Sequence, residues 1–202
     1  MMLWFTARGA GLSALVLLSF STCLGALMTR PGGASGRVVW HYVHRVSASL
    51  GLGVLALHIA TILADPYAKV GWRAALIPFT AQYRPTWVGL GTLAVYTFVL
   101  VAAVGAARGR FAATPRGAAT WRILHSLAYV GWAMAMWHGF LSGTDSSVPW
   151  VRALYIASAV AVVASVAVRL RRTSRPGLQR HRPPVTAPAD STSPAPALVG
   201  AR

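Results

Sequence analysis

Four histidines lie inside long apolar stretches of this chain of 202 residues, His44 and His58 in one stretch and His125 and His138 in another. The first two are 14 residues apart and the second two are 13 apart. A histidine inside an apolar span is costly and marks a functional site when it has partners. Neutral imidazole is a common axial ligand of haem iron, and helix bundles build such sites from facing helices. The two pairs therefore indicate haem chemistry.

The spacing predicts where the four rings lie. At about 1.5 Å of rise per residue, each pair spans about 20 Å, which is close to the thickness of a membrane core. On parallel helices, His44 is level with His125 and His58 is level with His138, which predicts two stacked b-type haems. Thirteen residues turn a regular helix about 140° away from the starting face. We therefore expect a bend or bulge in the second helix, with Gly131 at its midpoint.

Three further polar residues lie near the predicted level of His44 and His125. Arg45 and Arg122 are candidates to bind the carboxylates of haem propionates, and the alternative is ordinary positive charge at the cytoplasmic ends of membrane helices. His41 lies one helical turn before His44 and is interpreted as an interfacial residue, with ligation as the alternative. The predicted cofactor-binding residues are thus the four histidines and these two arginines.

Tryptophans and glycines accompany the same stretches. Trp121 and Trp132 are candidates to pack on porphyrin faces, although tryptophan is common at membrane interfaces in any case. Gly51 and Gly53 either leave room for a macrocycle or allow close helix packing. Apart from the similarity of the two histidine-bearing stretches, the sequence indicates no internal repeat.

The composition identifies the elements that must position these residues. Hydrophobic residues make up 55% of the chain and charged residues only 11%, whereas soluble domains carry about 25% charged residues. Because a membrane crossing takes about 20 apolar residues, five stretches qualify. They are Gly9–Met28, Val38–Ala64, Thr86–Ala107, Gly117–Leu141 and Pro149–Leu170. The predicted fold is all-α, a polytopic transmembrane helix bundle of about five spans that binds haem and lies in the lipid membrane.

The charge pattern predicts the orientation. The net charge is +16, but the arginines cluster at the ends of apolar stretches, which argues for membrane topology and against a nucleic-acid partner. Basic segments follow the first, third and fifth predicted spans. We therefore expect a multi-pass protein of the cell membrane, with the N-terminus outside and the C-terminus in the cytoplasm. Arg8 and the mixed charges of the loop Asp65–Arg84 run against this bias.

Several classes of chemistry are excluded by residue counts. Three acidic residues are too few for carboxylate-pair catalysis or a carboxylate-rich metal site. A single cysteine, Cys23, excludes an internal disulfide, CxxC redox chemistry and an iron–sulfur cluster. Residues 1–172 are predicted to form the haem-binding membrane domain. Residues 173–202, rich in Pro, Ala, Ser and Thr, are predicted to form a disordered cytoplasmic tail.

The two histidine motifs resemble those of the ferric reductase-like transmembrane domain, a superfamily of iron reductases, NADPH oxidases and the haem-binding membrane subunit of a bacterial methionine-sulfoxide reductase system. That family carries two histidine pairs, 13–14 residues apart, on two parallel helices. Here they read HRVSASLGLGVLALH from His44 and HSLAYVGWAMAMWHG from His125, and the similarity covers about Leu12–Leu170. The family core commonly has six helices, and five are predicted here.

The resemblance implies electron transfer from a cytoplasmic donor to an external acceptor that the sequence does not identify. The tail is too short for a flavin or nicotinamide domain and lacks a Gly-rich phosphate loop, so the donor is a separate flavoprotein reductase or quinol. The predicted function is thus a di-haem b electron-transfer component of an oxidoreductase, with no catalytic residue of its own. The alternatives are a cytochrome b561-like quinol or ascorbate oxidoreductase and a haem-free structural or transport bundle.

Overall fold

The structure is a computed structural model that describes residues 2–28 and 34–173. Within these two stretches the chain is helical and contains no strand, as predicted. The elements are α1 (Met2–Leu27), α2 (Ala34–Ala64), a 3-10 turn (Pro66–Ala68), α3 (Trp72–Leu76), α4 (Pro85–Ala106), α5 (Arg108–Phe111), α6 (Pro115–Ser126), α7 (Ala128–Ser142) and α8 (Pro149–Thr173). The predicted tail lies outside the described residues, except for Thr173 at the end of α8.

Four of the described helices are long and apolar enough to cross a membrane, namely α1, α2, α4 and α8. They correspond to four of the five predicted spans and make the chain compatible with a multi-pass membrane protein. The fifth predicted span, Gly117–Leu141, is not one such helix. It is divided into α6 and α7, which have 12 and 15 residues, and each is shorter than the roughly 20 residues that a crossing needs.

The interruption between α6 and α7 lies at Leu127. The Leu127 amide donates to the Leu124 carbonyl at 3.2 Å, which is the i to i−3 bond of a tightened turn. The bend expected at Gly131 is therefore misplaced by four residues. Gly131 lies buried inside α7, where a Cβ atom would be 3.1 Å from Thr97 of α4. Its role is to let α7 pack closely on α4.

The bundle is built from two antiparallel pairs. In the first pair, which we call the α1–α2 unit, α2 packs on α1. In the second, the α4–α7 unit, α6 and α7 pack along α4. Contacts of α1 with α7 connect the two units, and α1 also contacts α8. The buried centre comprises Leu18, Ala94, Phe98, Trp132 and Val162. The Trp132 indole donates to the Ser19 hydroxyl at 2.9 Å, so the one polar atom of this large buried ring is satisfied across the two units.

The two antiparallel pairs repeat each other in their contacts. A Cβ atom at Gly51 would lie 2.9 Å from Leu18, and one at Gly131 would lie 3.3 Å from Phe98. Leu18 precedes Phe98 by 80 positions, and Gly51 precedes Gly131 by the same 80 positions. The similarity expected only for the histidine-bearing stretches therefore extends to α1 and α4, and the α1–α2 unit is equivalent to the α4–α7 unit.

The segments that join the helices meet at one end of the bundle. The Asp65 side chain accepts from the Tyr67 amide and begins the 3-10 turn. The Thr92 hydroxyl of α4 donates to the Ala74 carbonyl of α3 at 2.8 Å, which holds α3 against α4. Arg8 near the start of α1 forms an ion pair with Asp145 in the segment between α7 and α8. These contacts close this end over the helices.

Candidate functional site

The structure brings the four predicted histidines together in two pairs. The rings of His44 and His125 form a T-shaped pair, with ring centres 6.2 Å apart and ring planes inclined at 73°. His58 and His138 line one cavity of about 390 Å³. We call these the His44 level and the His58 level. The pairing across α2 and the α6–α7 segment is the one predicted from the spacing.

The His44–His125 distance matches that of two ligands on one metal ion. A bond between a metal ion and an imidazole nitrogen is about 2 Å long and the ring centre lies about 1 Å further, so two axial imidazoles have centres about 6 Å apart. The observed 6.2 Å agrees with this value. The distance is thus compatible with a metal ion between the rings, and it also lies within the 4.5–7 Å of an ordinary aromatic pair.

At the His58 level, both histidines are oriented by backbone carbonyls. His58 Nδ1 donates to the Ala7 carbonyl at 2.7 Å, and His138 Nδ1 donates to the Trp87 carbonyl at 2.8 Å. A carbonyl can only accept, so each Nδ1 carries the proton and each Nε2 keeps its lone pair. This is the tautomer of a metal-binding histidine whose second nitrogen donates to the protein.

At the His44 level, the two histidines are held differently. His44 Nδ1 lies 3.0 Å from both the carbonyl and the hydroxyl oxygen of Ser21, which favours the same Nδ1–H tautomer. His125 Nδ1 is buried and has no hydrogen-bond partner among the described residues, although the Val101 carbonyl is near it. His125 is instead stacked on Trp121, with ring centres 4.9 Å apart. Packing rather than a hydrogen bond therefore orients this ring.

Two glycines that sequence analysis did not select lie against the rings of the His58 level. A Cβ atom at Gly11 would be 3.0 Å from His58 Nδ1, and one at Gly91 would be 2.6 Å from His138 Nδ1. Both distances are below ordinary van der Waals contact. An alanine at either position would therefore push the ring away from its carbonyl, and the absence of a side chain is what admits the imidazole.

The same relation holds with more space at the His44 level. A Cβ atom at Gly25 would be 3.4 Å from the His44 ring, and one at Gly105 would be 3.3 Å from the His125 ring. A sequence signal for these glycines exists, because those on α1 and those on α4 are each 14 residues apart. The histidines on α2 have the same spacing. Because α1 and α4 carry no histidine, the spacing of their glycines does not by itself indicate a site.

The unequal histidine spacing is explained by the interruption in the second unit. His58 and His138 are 80 positions apart, whereas His44 and His125 are 81 apart. The second unit is thus one residue shorter between the two levels, and Leu127 falls in this interval. A 3-10 turn advances about 120° per residue, compared with about 100° in an α-helix. A tightened turn therefore restores rotation that the missing residue would have supplied.

The other predicted residues are not brought into the pairs. Arg45 and Arg122 are exposed, and neither forms a hydrogen bond or an ion pair with another described residue. His41 is partly exposed and has Arg37 and Arg108 as neighbouring charges, in keeping with an interfacial position. The propionate-binding role of the two arginines therefore stays a prediction.

The cavity of the His58 level has the size and character of a cofactor site. Its volume of about 390 Å³ is within the range of about 300–1,000 Å³ found for small-molecule sites. Its lining is mostly apolar, and Leu18, Phe98 and Trp132 lie on the side towards the His44 level. Arg8 and Asp145 lie at the opposite end. The site is thus shielded from the bundle centre and lies nearest to the joining segments.

Comparison with protein families, with curated proteins and with solved structures finds no match for this chain. Its class is therefore defined by its own features, which are apolar helices able to span a membrane and two pairs of histidines. Among the described residues, no group of three or more His, Cys, Asp or Glu side chains converges on one point. The four histidines of the two apolar stretches lie in two pairs.

Proposed function

We propose that this protein is a di-haem b membrane electron-transfer protein of the ferric reductase-like kind. His44 and His125 hold one haem, and His58 and His138 hold the other. The observation that carries the proposal is the 6.2 Å separation of the His44 and His125 rings, which suits an iron atom between them. The Nδ1–carbonyl bonds of three of the four histidines support it independently.

When bound, haem supplies reversible one-electron chemistry of iron. The chain's own part would be to bind and orient the haems and to exclude water from them. α2 and the α6–α7 segment present the Nε2 atoms, while α1 and α4 hold Nδ1 of His44, His58 and His138. With two histidines to hold each haem, the residues of this chain would favour electron transfer over reaction of a substrate at the iron. The apolar walls of the His58 cavity exclude water and so influence the reduction potential.

The orientation proposed for the membrane follows from charge. The described arginines at or beyond the His44 level include Arg37, Arg45, Arg108, Arg110, Arg116, Arg122, Arg169, Arg171 and Arg172. The opposite end carries fewer basic residues, which are Arg8, Lys69, Arg73, Arg84 and Arg152. By the positive-inside rule, the His44 level faces the cytoplasm and receives electrons from a flavoprotein reductase or quinol. The His58 level faces outwards, and α6 with α7 makes a fifth crossing along α4.

The decisive measurement is an absorption spectrum of the purified protein before and after addition of dithionite. We expect two haems per chain with low-spin, six-coordinate signals. The His58→Ala variant should retain one haem and lose the other. His41→Ala is the matched control, since His41 is one turn from His44 and belongs to neither pair, and it should retain both.

Two results would redirect the proposal. A colourless protein whose single histidine variants behave like the wild type would indicate a haem-free structural or transport bundle. Rapid reduction by quinol or ascorbate without any flavoprotein would favour a cytochrome b561-like oxidoreductase with the same ligands. Reduction that requires a cytoplasmic flavoprotein would support the ferric reductase-like proposal.

A further inference from the structure

Each histidine ring lies beside the same pair of groups on the neighbouring helix. One is a backbone carbonyl at position i, and the other is a glycine at position i+4. The carbonyl and glycine residues are Ala7 with Gly11, Ser21 with Gly25, Trp87 with Gly91, and Val101 with Gly105. The carbonyl and glycine thus occur together four times, twice on α1 and twice on α4. The first three of these carbonyls accept from a histidine Nδ1, whereas His125 Nδ1 makes no hydrogen bond among the described residues.

Helix geometry explains why the two groups belong together. The amide of residue i+4 donates to the carbonyl of residue i. Side chains lean towards the N-terminus of their helix, so a Cβ atom at i+4 covers the turn that contains this carbonyl. A glycine at i+4 leaves the second lone pair of the carbonyl open. An imidazole from the next helix can then approach and donate its Nδ1–H.

We propose that Gly11, Gly25 and Gly91 are positioning residues, each of which opens one backbone carbonyl so that it fixes the tautomer and rotation of one histidine ring. Gly105 leaves similar space beside His125, which is oriented by stacking on Trp121 instead. We call each carbonyl with its glycine a carbonyl–glycine clamp. The ligand that these rings are held for is an iron porphyrin, and this part rests on the proposed function. The positions of the rings themselves do not rest on it.

The four glycines differ in how much space they leave beside the ring. The Cβ clearance is 2.6 Å at Gly91 and 3.0 Å at Gly11, but 3.3 Å at Gly105 and 3.4 Å at Gly25. A methyl group at Gly91 therefore requires the ring to shift, one at Gly11 or Gly105 requires the ring to give by a few tenths of an ångström, and one at Gly25 makes an ordinary contact. Alanine replacements should accordingly have graded effects, with the strongest at Gly91.

A merely structural role predicts a different outcome. Alanine is a better helix former than glycine, so a replacement that affects only helix stability should leave the site intact or improve folding. Gly9 provides the matched control on α1, because a Cβ atom there would meet no described atom within 4 Å. Gly9→Ala should leave the haem content, the spectrum and the histidine signals unchanged.

The test compares Gly91→Ala, Gly11→Ala, Gly25→Ala and Gly9→Ala in the full chain. Haem content and low-spin signals are measured in the purified proteins. Nitrogen NMR of the imidazoles in haem-free protein reports the Nδ1–H tautomer without any cofactor. We expect Gly91→Ala to lose one of two haems and the Nδ1–H signal of His138. We expect Gly25→Ala to keep both haems and show only a shifted His44 signal.

The outcomes separate the two proposals. If the wild type binds no haem, the proposed function fails, and the imidazole signals still decide whether the clamps exist. If Gly91→Ala and Gly11→Ala keep both low-spin haems and unchanged Nδ1–H signals, the clamps are overturned. If Gly91→Ala does not fold, Gly11→Ala and Gly25→Ala decide instead, and unshifted signals of the His58 and His44 rings would overturn the clamps.

Discussion

At the His58 level both imidazoles donate to backbone carbonyls, at 2.7 and 2.8 Å, whereas at the His44 level only His44 has such a partner, at 3.0 Å. The partner of His44, His125, relies on stacking against Trp121. The same helices and the same residue types thus build two sites of different rigidity. A hydrogen bond to the second nitrogen raises the basicity of an imidazole ligand, so the two sites are expected to differ in reduction potential.

The two levels also differ in how enclosed they are and in the charges near them. The His58 pair lines a cavity covered by the joining segments and by the Arg8–Asp145 ion pair. Near the His44 level, the residues after α4 are arginine-rich, and Arg108 lies over the Trp121 ring at 5.2 Å. One level is thus enclosed and the other is flanked by positive charge. Haems held at the two levels would therefore be expected to have unequal reduction potentials.

The largest effect is expected when a histidine of either level is removed. His138→Ala and His125→Ala should each reduce the haem content from about two per chain to about one, because a single axial imidazole holds haem weakly in a site built for two. The remaining haem should have a different midpoint potential in the two variants. Equal potentials in a redox titration would contradict the comparison between the levels.

Insertion of one residue between the two histidines of a unit should remove a haem when it is made in α2, but not when it is made after Leu127. One alanine inserted after Leu127 restores the 14-residue spacing found on α2, so a regular helix can replace the tightened turn and both haems should be retained. The same insertion after Gly53 turns the two halves of α2 about 100° relative to each other and should remove one haem. Haem content and circular dichroism measure both results, and loss of haem in the Leu127 variant alone would refute this explanation of the spacing.

The stacking of Trp121 on His125 should matter because His125 has no hydrogen bond among the described residues. Trp121→Leu removes a ring contact of about 0.5–1.5 kcal/mol, which corresponds to a loss of up to about tenfold in haem affinity at the His44 level. Titration of haem into haem-free protein measures this. Trp137→Leu is the control, since Trp137 is 58% exposed. An equal loss in both variants would argue against a specific role for Trp121.

The smallest expected effect concerns the Ser21 hydroxyl. Ser21→Ala leaves the backbone carbonyl in place and removes only the hydroxyl 3.0 Å from His44 Nδ1. Loss of one acceptor worth about 0.5–1.5 kcal/mol should raise the potential of the His44-level haem by a few tens of mV, because a less basic ligand stabilises ferric iron less. Ser13→Ala, at an exposed position of α1, should leave both potentials unchanged in the same titration.

Much of the fold was predictable because its signals are local. Long apolar stretches predict helices without reference to the rest of the chain, and the structure confirms four of them. The interruption at Leu127 was not located, because no proline or glycine marks it. It arises from the need of a 13-residue interval to match a 14-residue one on another helix. The sequence predicted a helix bend at Gly131, but in the structure this glycine allows α7 to pack closely against Thr97.

Residue types and spacing alone determined that this chain is helical, apolar enough for a membrane and equipped with four histidines that can pair at two depths. Only the tertiary structure decided which atoms hold those rings, because Ala7 with His58 and Trp87 with His138 are contacts across 51 positions of the chain. A backbone carbonyl has no signature in a sequence, since every residue carries one. What selects a particular carbonyl is the glycine one helical turn later, and its importance becomes visible only when another helix packs against it.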